Sequence, residues 1–144
     1  MWEYFVIGGS GILAGFLAGV FFEKGMNKLS KEKQINAEKL LHESFGEPVY
    51  FGAVTIEDIN NWIEGRKEKI SSEDKVCVVE ARKDLLKKII ENIEIPANMS
   101  NYLVVAIITK ESKLIEATLI KFDKIELELK EMLDKGEGCL IIEG

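Results

Sequence analysis

The sequence has a single histidine, two cysteines and only two arginines, and each shortage removes a chemistry. One imidazole, His42, is too little for the common zinc sites and has no partners for a Ser-His-Asp arrangement. Cys77 and Cys139 stand far apart in the apolar runs VCVV and CLII, and no C-x-x-C occurs. Such thiols behave as small buried hydrophobes, and in the reduced form they suit a domain facing the cytosol. No serine stands in G-x-S-x-G, and the Walker pattern G-x-x-x-x-G-K-[ST] is absent. Positive charge is also in deficit. Of 19 basic and 25 acidic residues, five of each fall before residue 46, leaving 14 against 20 and the whole net charge of −6 in the rest of the chain. An acidic domain repels phosphate backbones, so no nucleic-acid partner is expected. The local basic runs around Arg66 to Lys69 and Arg82 to Lys88 are interleaved with acids and read as solvated helix faces.

Charge is missing altogether from one long stretch. Residues 1–22 carry only Glu3, and residues 4–22 read YFVIGGSGILAGFLAGVFF. As a helix this run is roughly 28 Å long, close to the hydrocarbon thickness of a bilayer. Trp2 and Tyr4 mark one end as an interfacial belt would, and Lys24, Lys28, Lys31 and Lys33 follow the other. The expectation is a transmembrane helix over residues 1–22 in a single-pass membrane protein, with the N-terminus outside and the remainder cytoplasmic. Gly11, Gly15 and Gly19 recur every four residues beside Ala14 and Ala18. In lipid such a row lets a second helix approach closely. These five residues are therefore the expected helix-packing site, toward the chain itself or another membrane protein.

Gly9-Ser10-Gly11-Ile12-Leu13-Ala14, preceded by FVI, resembles the G-x-G-x-x-A turn of Rossmann proteins. That resemblance implies a pyrophosphate held at a helix N-terminus, hence a soluble nucleotide-binding protein as the alternative. Against it, the following ILAGFLAGVFF is apolar all round, and the stretch where a second strand and its acid belong is KGMNKLSKEKQINAEK.

Residues 23–45 read as a polar helical connector, ended by Gly46 and Pro48. His42 lies in it as a surface or packing residue. Residues 46–144 alternate strand and helix. VYFGAV at 49–54 is a strand, and Thr55-x-x-Asp58 resembles a capping box for a helix whose Ile56, Ile59, Trp62, Ile63 and Ile70 share a face. A strand at 75–81 precedes a helix at 84–93. YLVVAIIT at 102–109 has no polar alternation, as in a strand covered on both faces, and forms a hairpin with 114–122. Asp123-x-x-Glu126 resembles a second capping box, for a helix closed by Gly136, and CLII at 139–142 is a final strand.

The expected fold is thus one N-terminal transmembrane helix plus a small α/β domain of order β-α-β-α-β-β-α-β, with a mixed sheet of about five strands. Its first seven elements follow the order of thioredoxin-like folds, but Val54-Thr55-Ile56 stands where those carry a dithiol. Metal-dependent nucleases place an acid and a later Glu-x-Lys on adjacent strands. Here Glu80 and Glu116 lack that context and read as solvent-facing acids. No catalytic residue, metal or cofactor is expected. The function expected is a membrane-anchored, non-enzymatic interaction or assembly module, or a subunit of a larger membrane complex. Its partners would be the lipid bilayer, a partner helix and a cytoplasmic protein.

Overall fold

The computed structural model describes residues 3–5, 21–29, 31, 33–111 and 113–143. In chain order these form β1 (Glu3–Phe5), α1 (Glu23–Lys28), β2 (Ile35–Asn36), α2 (Ala37–Phe45), β3 (Val49–Val54) and α3 (Ile56–Glu64). After a 3-10 turn at Lys67–Lys69 come β4 (Lys75–Glu80), α4 (Lys83–Ile89), β5 (Ile93–Glu94), β6 (Asn101–Ile108), β7 (Leu114–Ile125), α5 (Leu127–Lys135) and β8 (Cys139–Glu143).

The sheet runs β1-β8-β4-β6-β7-β3. β3 is parallel to β7, whereas β7, β6, β4, β8 and β1 pair antiparallel in turn. β3, β4 and β7 therefore run the same way and end on the same side of the molecule. β6 is central and alternates between two cores. Val104, Ala106 and Ile108 face one side with Leu40, Leu41, Leu86 and Val79; Leu103, Val105 and Ile107 face the other with Ile59, Ile63, Leu129 and Leu133. The result is three layers, with α1, α2 and α4 on one face of the sheet and α3 and α5 on the other. A strand buried on both faces needs apolar residues at every position, which is why 102–109 carries no alternation.

Several expectations are corrected here. The apolar N-terminal stretch enters the domain at both described ends. Glu3, Tyr4 and Phe5 pair with Glu143, Ile142 and Ile141 as a sixth strand. Phe21 and Phe22 are each 2% exposed, their rings edge-to-face with Phe45 at 6.0 Å. No helix among the described residues is long and apolar enough to cross a membrane. The transmembrane helix, its single-pass topology with an outside N-terminus and a cytoplasmic remainder, and the glycine-lined groove within lipid are overturned together. The physical reason is that hydropathy measures departure from water and does not name the destination. A protein interior accepts the same residues as a bilayer.

Residues 23–45 carry more apolar burial than a connector needs: Leu29, Ile35, Ala37, Leu40 and Leu41 all lie in the first core. Asn36 caps α2, its Oδ1 accepting from Lys39 N at 3.0 Å, and Gly46 at φ +83° ends it in a conformation that costs glycine little. Gly25 brings α1 close to α2, since a Cβ there would lie 2.9 Å from Leu40 Cδ1. β2 pairs in parallel with β5, Ile35 beside Ile93, which ties this layer to the end of α4.

Candidate functional site

Two clusters of opposite charge lie on the α3/α5 face, and both bind themselves. At the end of β4, Glu80 accepts from Arg82 Nη2 at 2.6 Å and from Lys130 Nζ at 2.7 Å. Arg82 also donates to Asp134. On β7, Glu116 accepts from Lys69 Nζ at 2.8 Å and from Arg66, whose guanidinium lies 4.2 Å from the Trp62 ring centre. Hydrogen bonds from Lys69 and then Arg66 hold the Glu116 carboxyl below its usual range. Trp62 Nε1 in turn donates to Thr118 Oγ1 at 2.9 Å. Each carboxylate is thus occupied by two cations, and no group among the described residues could hold a metal ion. Glu80 and Glu116 are partners in ion-pair networks rather than the solvent-facing acids their strand positions suggested.

On the opposite face Tyr102 Oη donates to Glu38 Oε2 at 2.7 Å, and His42 Nε2 stands 3.4 Å from the same hydroxyl. Burial, reinforced by the Glu38 bond, pushes the Tyr102 hydroxyl up to about 12. His42 is therefore a packing residue joining α2 to β6, one turn beyond Glu38. Tyr102 also lines a cleft of about 220 Å³ at the sheet end, between Arg82, Met99, Ser100 and Phe122. Ser100 belongs to the Asn98-Met99-Ser100 loop, and nothing else in the cleft brings a nucleophile and a base together.

Cys77 and Cys139 are buried and free. Burial pushes Cys77 up to about 12 and Cys139 up to about 11. At pH 8 their thiolate fractions are then lower than a solvated cysteine's by about two orders of magnitude or more. Ellman's reagent should leave both unreacted until denaturant is added; fast labelling of the native protein would show that solvent reaches them. The two thiols and Tyr102 all release protons more readily once unfolded. Their contribution to stability is complete below about pH 9 and is lost as pH rises through 11 to 12.

What the polar clusters lack, an open valence, is found at the sheet edge formed by β3. Glu126 N donates to Val54 O at 2.9 Å, which turns the Val54 backbone toward β7. The ladder to β7 is interrupted at Gly52, which has no partner in register between Phe51 and Ala53, and Phe51 and Val54 both pack against the second core, so the strand changes face there. β3 is the last strand of the sheet, and no strand lies beyond it among the described residues. Val49 is 48% and Tyr50 59% exposed, and the strand VYFGAV carries no charge. Tyr50 Oη donates to Asp123 of β7. Edges are usually blunted by lysine, proline, a bulge or brevity. The opposite edge, β1, has three residues among those described. β3 has six, with Pro48 just before it, no lysine or proline within it, and a break in its ladder at Gly52.

The expected packing residues Gly11, Ala14, Gly15, Ala18 and Gly19, and the Gly9-Ser10-Gly11 turn, lie outside the described residues. The β3 edge was missed because an uncharged apolar run reads equally as a buried strand; only its place in the sheet exposes it. Comparison with protein-family models, curated proteins and solved structures finds no match.

Proposed function

We propose that this protein is an interaction module that takes up a partner strand along β3. The observation that carries this reading is the uncharged six-residue edge strand, with Val49 and Tyr50 exposed and no strand beyond it among the described residues. A strand added there gains main-chain hydrogen bonds for affinity and side-chain pairs for selectivity. The net charge of −6 keeps the module dispersed and favours partners that do not rely on anionic surfaces.

Ala53→Lys is the direct test, because Ala53 is exposed and its outward edge tolerates a long charged side chain in the free protein. Native purification of wild type and variant should show every associated chain, copy or otherwise, lost from the variant, with circular dichroism unchanged. Associations that survive Ala53→Lys in a folded protein would rule out the β3 edge.

A further inference from the structure

We infer that the cleft of about 220 Å³ at the sheet end is a binding site for a small carboxylate with an apolar body. The site goes beyond the strand-uptake reading above and does not depend on it.

The cleft exists for a topological reason. β4 and β7 run the same way with β6 antiparallel between them. β4 leads into α4, whose Leu85 and Leu86 lie in the first core, whereas β7 leads into α5, whose Leu129 and Leu133 lie in the second. The chain thus leaves the two strands toward opposite faces, and a crevice opens over the start of β6. Open α/β sheets bind ligands at such a switch point, outside the ends of their strands. Here the end of β4 supplies Glu80 and, just beyond it, Arg82 and Lys83, the start of β6 supplies Asn101 and Tyr102, and β7 supplies Phe122.

The lining names the ligand. Half-buried Ile95 and Met99, from the loop before β6, stand with Phe122 and the Tyr102 ring as the apolar part. Against them stand Arg82 and Lys83, with Glu80 as the one acid of the lining, so the cleft carries one net positive charge in a chain whose total is −6. Glu80 is held by Arg82 and Lys130 and is not offered to a cationic ligand. Bonds from Nε and Nη2 to Glu80 and Asp134 fix the Arg82 guanidinium and leave Nη1 without an acceptor among the described residues. Asp84, which does not line the cleft, stands at the 4.0 Å limit from Arg82 Nε. Lys83 is exposed and has no carboxylate partner among the described residues. A guanidinium fixed in orientation beside an ammonium on a flexible stem matches a carboxylate, which accepts charge-assisted hydrogen bonds from both. The exposed Asn101 adds an amide donor at the rim. The volume lies below the roughly 300–1,000 Å³ of sites for drug-sized ligands, which limits the occupant to on the order of ten non-hydrogen atoms.

The experiment is an amide-resolved NMR titration of the purified full chain with 3-phenylpropionate and 4-methylpentanoate, and with 3-phenylpropionamide and 3-phenylpropylamine as neutral and cationic counterparts. The expected result is saturable shifts centred on residues 80–83 and 99–102, with a dissociation constant of about 1 mM or tighter for at least one carboxylate. The amide and the amine should bind at least about fivefold more weakly. Lys83→Glu should weaken the carboxylate at least about tenfold with unchanged circular dichroism, since Lys83 is exposed. Failure of both carboxylates to saturate overturns the inference, as do shifts centred elsewhere. Equal binding of acid and amide by the wild type overturns it without recourse to any variant, and so does a folded Lys83→Glu protein that binds the carboxylate as well as wild type.

Discussion

Replacing Phe22 by alanine is expected to lower the unfolding free energy by about 3 kcal/mol, a fall in Tm of about 10 °C for a domain of this size. Phe22 is 2% exposed, and its ring packs edge-to-face against Phe21 and Phe45 at centre distances of 6.5 and 6.0 Å. Truncation removes its transfer free energy and leaves a void where α1 meets α2. Gly25 already brings those helices together at the limit of contact, so the void cannot close by further approach. The measurement is urea denaturation followed by tryptophan fluorescence in a Trp2→Phe background, which leaves Trp62, on the far side of the sheet against the second core, as the reporter. A loss of stability sensed there shows that α1 and the sheet unfold as one unit. An unchanged midpoint would mean that residues 21–28 lie outside that unit.

Glu80→Ala is expected to cost about 2 kcal/mol, less than the 3–5 of a fully buried pair because Lys130 and Asp134 remain partly solvated. The Glu80 side chain is 12% exposed and is shared between Arg82 and Lys130. Without it two cations face each other with Asp134 between them and Asp84 at the 4.0 Å limit from Arg82. Glu80→Gln keeps acceptors for both donors and should lose about half as much. Thermal melts at low and high salt decide the matter: an electrostatic cause predicts that the deficit of the alanine variant shrinks as salt rises. If both variants match wild type, the network is a surface ornament and does not join β4 to α5.

The local features of the domain were readable because their causes are local. Thr55 Oγ1 accepts from Asp58 N at 3.1 Å while Asp58 Oδ2 accepts from Thr55 N at 2.9 Å, the capping box that the spacing implied. Gly136 closes α5 as expected. The spacing of Asp123-x-x-Glu126 is the same, but its outcome differs. The chain stays extended to Ile125 and α5 begins at Leu127. Asp123 accepts instead from Tyr50, and Glu126 Oε1 from Ile56 N at 3.1 Å, capping the neighbouring α3. Both carboxylates answer partners some seventy residues away, which no local pattern can announce. The helix expected over 84–93 ends early for a similar reason: Ile93 leaves it to pair with Ile35.

The sequence by itself determined the order of the main strands and helices between Val49 and Ile142, though not all their ends, that the cysteines are buried, and that the charge of the chain is acidic. Those properties follow from side-chain period, cap chemistry and composition, each read within a few residues. Tertiary structure alone decided that Phe21 and Phe22 belong to a protein core, and that Glu80 and Glu116 are consumed by ion pairs. It also decided that VYFGAV, no less apolar than a core strand, stands at the rim of the sheet. These outcomes depend on which strands become neighbours. Strand pairing is non-local, and an apolar residue gains from leaving water whichever interior receives it.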